Sequence, residues 1–247
     1  IRELETEMGI KIFTRTNKGV VTSNEGERFL GYARQVLEQA SLLEGVYKSG
    51  TKIKQQFCVS TQHYSFAVNA FVDLIRRFAG EEYDFSLRET ETYEIIDDVA
   101  KMKSEIGILY LNSFNKDALM KIIKSKSLTF TELFTAKPHV FVSTDHPLAD
   151  KKSVTMEELA DYPYLSFEQG EHNSFYYSEE IFSTVGRTKN IRVTDRATLF
   201  NLLIGLNGYT VCSGVIDNEL NGDNITAIPL DEEGNMKIGY IENKDSA

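Results

Sequence analysis

The chain is poor in cysteine, poor in proline and short of cations, and it has no long apolar run. Two cysteines, Cys58 and Cys212, sit in separate apolar strand-like stretches. That is too few for a disulfide framework, and with four scattered histidines it gives no metal-ligand spacing, so both read as buried thiols. Glycine and proline together number 20 of 247 residues, which excludes collagen-like and low-complexity classes. No stretch approaches the roughly 18 apolar residues of a membrane span. No charged-then-apolar leader opens the chain, so secretion is not expected. Nothing matches G-x-S-x-G, a phosphate-binding loop or G-x-G-x-x-G, and no convergent nucleophile or acid/base pair appears; catalytic residues, cofactors and metal are all expected to be none. The shortage of cations is uneven. Lys and Arg number 27 against 37 Asp and Glu, but residues 1–50 hold seven of each, so the net charge of −10 belongs to residues 51–247. An acidic body does not bind nucleic acid by itself.

What is present begins with a basic stretch. From Met8 to Asn24 there are three cations, Lys11, Arg15 and Lys18, and no acid. The pattern predicts a strand through Ile10, Ile12 and Phe13, a turn at Asn17-Lys18-Gly19 and a second strand at Val20-Val21. A basic hairpin suits a DNA backbone better than a metabolite, and Lys11, Arg15 and Lys18 are its candidate phosphate contacts. Residues 1–8 place Ile1, Leu4 and Met8 at helical spacing, with Gly9 as the stop. The chain lacks an initiating Met and opens inside this helix, so an earlier segment is expected to precede it. Thr22-Ser-Asn-Glu25 reads as a capping box. The helix it opens carries Phe29, Ala33, Val36, Leu37, Ala40, Leu43 and Tyr47 on one stripe. No other element before Gly50 is available to cover that stripe, which predicts pairing with a second copy of the same helix. A polar linker follows at 49–52.

The pattern then turns to α/β. Strands are predicted at 56–61, 83–88 and 106–111 with helices at 64–78 and 93–102 between them, which implies a mostly parallel sheet. Strands at 128–134 and 139–143 follow. A second set comprises a helix opened by the capping box Thr155-Met-Glu-Glu158, a strand at 164–167, a helix at 175–185, a strand at 191–193, a helix capped by Asp195 that ends at Gly208, and a strand at 209–215. Late strands at 225–230 and 237–241 are placed so that they return to the first set.

By these residues the chain resembles the LysR-type transcriptional regulators. IRELETEMGIKIFTRTNKGVVTSNEGERFL is similar to the family's recognition-helix end, wing and linker-helix start. DHPLA followed by VTMEELADYPYLSF resembles its mid-domain segment, and TDRATLFNLLIGLNGYTVCS its late helix and strand. The resemblance implies an α/β fold with the remnant of a winged helix-turn-helix and a wing at 1–22 and a dimerisation linker helix at 23–50. A two-lobed effector domain like periplasmic solute-binding proteins follows, with lobe I at 51–134 with 226–247 and lobe II at 135–225. It implies a cytoplasmic regulator that binds promoter DNA as a homodimer through the linker helix, assembled into homotetramers, with no membrane partner. Arg2, on the recognition-helix remnant, joins the DNA contacts. The alternatives are a solute-binding protein with no DNA role and an enzyme working in the cleft.

The effector site is expected between the lobes, at the carboxyl ends of parallel strands. The turn Ser60-Thr61-Gln62-His63 offers hydroxyls, an amide and backbone N–H groups suited to a small anion or an amino-acid derivative, and in the family this turn commonly binds effector. Tyr110, Ser166, Phe167, Thr194 and Thr198 lie at the other qualifying strand ends and helix starts.

Overall fold

A computed structural model describes residues 1–17, 19–48, 54–216 and 222–244. Lys18, the side chain of Tyr47 and the linker at 49–52 lie outside the described residues. The chain divides into two compact units, residues 1–54 and 55–247.

In the first unit, helix α1 (Arg2–Met8) stops at Gly9, whose φ of 66° lies in the left-handed region where glycine avoids a Cβ clash. Strands β1 (Phe13–Thr16) and β2 (Gly19–Thr22) form an antiparallel hairpin, with Arg15 opposite Val20. The first strand starts later than the apolar pattern suggested, because Ile12 leaves the hairpin and is buried at 2% exposure. The Glu5 carboxylate accepts from the Ile12 and Phe13 amides at 2.7 and 3.1 Å, tying α1 to the hairpin. Those two amide bonds hold its pKa below the ordinary carboxylate value.

Helix α2 (Asn24–Lys48) follows at once. The Thr22 capping box is corrected: the cap is Ser23, whose hydroxyl oxygen accepts from the Gly26 amide at 2.8 Å while its O–H donates to the Lys11 carbonyl. Gly26 is required, since a Cβ there would lie 2.1 Å from the Ile12 carbonyl oxygen. Along α2, Val36, Leu37 and Leu43 are 67%, 67% and 61% exposed.

The second unit opens with strand β3 (Gln55–Thr61), helix α3 (Ser65–Phe78), strand β4 (Tyr83–Glu89), helix α4 (Thr92–Ala100) and strand β5 (Ile106–Leu111). Strand β3 pairs parallel with both β4 and β5, as alternating strands and helices require. Helix α5 (Lys116–Ser125) was not anticipated; it buries Leu119 and Ile123, four residues apart on one face. Strand β6 (Leu128–Ala136) leads to β7 (His139–Ser143), and a short helix α6 (Met156–Leu159) carries the predicted Thr155–Glu158 box with both reciprocal bonds formed. Strands β8 (Tyr164–Phe167) and β9 (Asn190–Val193) pair in parallel. Helix α7 (Arg196–Leu206) is capped by Asp195, which accepts from the Thr198 amide at 2.8 Å. Its last turn is open, with Leu206 46% exposed, and Asn207 rather than Gly208 takes the left-handed terminal conformation.

Strand β10 (Thr210–Cys212) is shorter than predicted. Of the two late strands, β11 (Ile225–Pro229) pairs with β7 in a three-stranded sheet of order β10-β7-β11, and only β12 (Met236–Asn243) returns to the first sheet, order β4-β3-β5-β12-β6. The expectation that 226–230 belongs to lobe I is therefore corrected. Ile225 and Ile228 face a core shared with β7, and β12 supplies the antiparallel strand between β5 and β6. The helix predicted over 175–185 is also corrected. It is a single 3₁₀ turn at Phe175–Tyr177, followed by irregular chain.

Candidate functional site

Between the two sheets lies a cavity partly open to solvent, with about 490 Å³ of empty space when that open solvent is counted. His63 and Ser65 enter it from the β3–α3 side. Phe141, Phe167, Glu179, Glu180 and Arg196 enter from the β7, β8 and α7 side, and Cys212 and Ser213 from β10. Of the nine predicted effector-site residues, the structure brings His63 and Phe167 together here. Their rings stack with centroids 3.9 Å apart and planes 5° from parallel.

Ser60, Thr61 and Gln62 do not line this cavity; all three are fully buried. The Ser60 hydroxyl donates to Asp98 Oδ2 at 2.9 Å, and the Thr61 hydroxyl to the Gln62 carbonyl at 2.8 Å. Gln62 Nε2 donates to Thr92 Oγ1 at 2.6 Å, while its Oε1 accepts from the Tyr64 hydroxyl and the Tyr110 amide at 2.8 and 3.1 Å. These hydroxyls and this amide fix the turn from behind, because buried polar atoms need partners, and helix α4, Tyr64, the β5 backbone and the turn itself supply them. Tyr110 faces a second cavity of about 570 Å³, lined also by Asn112, Glu180, Phe182, Glu233 and Asn235. Ser166 is half-buried on β8, and Thr194 and Thr198 are exposed. None of the three lines the first cavity.

The charged centre of the cleft consists of groups that sequence reading passed over. Glu179 is 5% exposed and lies against the β3–α3 turn. The His63 amide donates to its Oε2 at 2.8 Å, and His63 Nδ1 lies 3.0 Å from both of its oxygens. Gln169 Nε2 donates to Oε1 at 3.1 Å. Burial alone would lower the His63 pKa, but the Glu179 carboxylate outweighs it through charge and hydrogen bond, and the net direction is upward. Glu180, 3% exposed, accepts from the Phe167 amide at 2.8 Å. Burial, reinforced by the adjacent Glu179, pushes its pKa to about 8, so this carboxyl is protonated at neutral pH. A second charged contact links the sheets: Arg196 Nη2 lies 3.2 Å from Glu89 Oε1. Burial raises the Glu89 pKa and Arg196 offsets part of the rise.

The segment carrying the two acids is held awkwardly. Phe182 takes φ 63°, a region that a bulky side chain enters only when the surroundings impose it. Arg187 Nη1 donates to the Phe182 and Val185 carbonyls at 3.1 Å each, and its guanidinium lies 3.8 Å above the Tyr164 ring. An acid pair flanked by aromatics was the available signal, but its partners lie up to 116 residues away. Both cysteines are half-buried rather than buried; Cys212 lines the cavity, and the removal of its thiol from water raises its pKa well above the ordinary thiol value, which disfavours the reactive thiolate.

Of the DNA-contact candidates, Arg2, Lys11 and Arg15 are exposed, Arg15 on the hairpin and Arg2 on α1. Among the described residues no helix is long and apolar enough to cross a membrane, and no group of three His, Cys, Asp or Glu is placed to hold a metal. The acids of the cleft have amide, imidazole and guanidinium partners, an arrangement that binds and orients.

The LysR substrate binding domain family matches residues 59–247. The chain is 27% identical over 172 residues to the uncharacterized HTH-type transcriptional regulator YnfL of Escherichia coli K12, covering 68% of this chain and 54% of that protein. It is 26% identical over 174 residues to the HTH-type transcriptional regulator CysB of Burkholderia cenocepacia, covering 68% and 52%. The chain thus spans about half the length of the curated relatives it matches. Among solved structures, a full-length OxyR variant from Pseudomonas aeruginosa superimposes with TM-score 0.58 at 17% identity, covering 98% of this chain and 78% of that one. HinK, a LysR family transcriptional regulator from the same species, gives TM-score 0.51 at 15%, covering 100% and 81%. At these identities the structural likeness speaks for the fold alone.

Proposed function

The chain belongs to the LysR family through its substrate binding domain, and from that premise we propose that it is a DNA-binding transcriptional regulator whose two-lobed body senses a small polar metabolite in the cleft between the sheets. The observation that carries the reading is the family match over 59–247 joined to a first unit with a basic hairpin and an open helical stripe. In this reading residues 1–22 are the end of a recognition helix and its wing, and 23–50 form the dimerisation helix. Lobe I comprises 51–134 and the strand at 236–243, and lobe II comprises 135–230. Arg2, Lys11, Arg15 and Lys18 hold phosphates of promoter DNA. The apolar residues Val36, Leu37 and Leu43 meet a second copy, and paired dimers make the tetramer. The protein works in the cytoplasm and catalyses nothing.

The cleft residues of this reading are His63 and Phe167 from the predicted set, joined by Glu179, Glu180 and Arg196. Ser60, Thr61, Gln62 and Tyr110 support the turn. Ser166, Thr194 and Thr198 would reach a ligand only after lobe movement. A metabolite that binds one arrangement of the lobes better than another shifts the equilibrium between them, and about 1–3 kcal/mol of differential affinity suffices to change DNA contact. The test is retention of genomic DNA fragments by the complete protein, with and without a metabolite pool. Selective retention that the pool alters is the expected result; retention of no fragment at low salt contradicts the proposal.

A further inference from the structure

The β3–α3 turn was expected to receive an anion, and it holds one that belongs to the protein itself. Three donors from two sides of the cleft converge on the Glu179 carboxylate: the His63 amide, the His63 ring and the Gln169 side-chain amide, at 2.8–3.1 Å. His63 precedes α3, whereas Gln169 and Glu179 lie beyond β8, so the carboxylate bridges the two halves of the body. The residues around it form a partition. Glu180 lines both the 490 Å³ cavity and the 570 Å³ cavity, and Ile181 and Phe182 continue the wall of the second. Displacing residues 179–182 would open one cavity to the other.

The partition is poorly suited to permanent burial. It places two adjacent hydrogen-bonded acids in the interior, and it holds Phe182 in left-handed backbone at φ 63°. The two acids and the strained Phe182 are cheaper to return to water than apolar residues in their places would be, which offsets part of the cost of exposing Ile181, 3% exposed in the core. The donors left behind, two on His63 and one on Gln169, would be costly to leave empty. Such a site exchanges one carboxylate for another more readily than it opens.

We infer that Glu179 is a built-in ligand: its carboxylate fills the subsite that receives a carboxylate group of the effector, and effector binding expels residues 179–182 from between the lobes. The inference rests on the reading of the cleft as the effector site. It goes further by assigning the ligand a carboxylate and assigning the empty state a self-occupied form. Self-occupation reduces apparent affinity by the fraction of molecules whose site is free, so removing Glu179 raises affinity for carboxylates.

The test uses Glu179→Ala and acetate, which replaces the CH₂–carboxylate fragment that the substitution deletes. Thermal melts of the complete chain are recorded against acetate, acetamide and chloride at matched ionic strength. Acetate is expected to stabilise the variant saturably and at about tenfold lower concentration than the wild type, the size expected when one charge-assisted contact no longer has to be displaced. Acetamide and chloride are expected to do nothing specific. Equal acetate responses in variant and wild type, or equal effects of acetate and chloride on the variant, overturn the inference. Should the Ala variant fail to fold, Glu179→Gln keeps the shape but offers the donors only a neutral oxygen. It should bind acetate about tenfold better than wild type, and an unchanged response overturns the inference equally. A protein that binds promoter DNA and answers to a cleft metabolite without a carboxylate would sink this inference and leave the regulator reading standing. Acetate rescue in a protein that binds no DNA would do the reverse.

Discussion

The two units solve the problem of burying apolar surface in opposite ways. The body of residues 55–247 closes its own cores: Leu109, Leu119 and Leu128 are fully buried in one, and Leu165, Leu199 and Leu203 in another. The first unit buries Ile12 and leaves Val36, Leu37 and Leu43 about two-thirds exposed along a 25-residue helix. An amphipathic stripe of that length left bare calls for a partner, since helix stability in proteins comes mainly from the packed apolar face. The lesson is that the body encloses its own cores, whereas the front unit leaves most of its helical stripe uncovered, as the proposed pairing of two copies would require.

The comparison breaks most clearly at two residues. Leu37→Asp with Leu43→Asp should lower self-association at least about a hundredfold by placing charges in a helix seam, measured by sedimentation equilibrium, while leaving the melt of the body nearly unchanged. Leu203→Ala should do the converse. It should cost about 2–5 kcal/mol in denaturant unfolding of the body, as expected for a fully buried leucine, and leave association alone. If the double Asp variant stays associated, the open stripe is not the interface.

A pH titration sharpens the contrast within the body. His63 and Glu180 both titrate above their ordinary values, Glu180 at about 8. A raised folded-state pKa contributes stability that is complete below the unfolded value and disappears as pH rises through the folded one. The body should therefore lose stability as pH rises from about 4.5 to about 8, with Glu180 contributing at most about 1.4 kcal/mol per pH unit. The lowered carboxylates, Asp97 and Asp195 among them, act in the opposite direction and in a separate acid window, losing stability as pH falls. Glu180→Gln, neutral at every pH, should flatten the decline of the melting temperature between about pH 4.5 and pH 8 and leave the slope above that window unchanged. A decline as steep as that of the wild type would show that Glu180 is not the group responsible. The smallest effect is expected at the helix cap. Ser23→Ala removes the acceptor of the Gly26 amide and should cost about 1 kcal/mol in thermal unfolding of the associated protein.

Much of the body was legible because local rules and tertiary packing agree there. The apolar run 106–111 became β5 with the predicted bounds, Thr155–Glu158 formed its box, and Asp195 capped α7. The front hairpin was legible from Gly9 and the Asn17-Lys18-Gly19 turn. Its cap slipped by one residue, because Ser23 reaches the Lys11 carbonyl and Thr22 remains in the strand. The site was less legible. Residues 175–185 have helical apolar spacing, yet Glu179 and Glu180 turn inward because the His63 turn, Gln169 and the Phe167 amide offer them hydrogen bonds, partners that no local pattern announces. The same long-range bonding explains Ser60 and Gln62, whose polar groups looked free in sequence and are satisfied by Asp98, Thr92 and Tyr110, while Thr61 turns its hydroxyl to the adjacent Gln62 carbonyl. Helix α5 was visible in the spacing of Leu119 and Ile123 and went unread.

The central claim is that the front unit grips DNA through its basic hairpin while the acidic body does not. The most direct measurement is the salt dependence of promoter-fragment binding by the complete protein, compared with Lys11→Gln/Arg15→Gln. Two cations per protomer give four in a dimer, so the double variant should flatten the slope of log affinity against log salt by about 3.6 while the body folds unchanged. A wild-type slope near zero, or a variant slope equal to the wild type, contradicts the account.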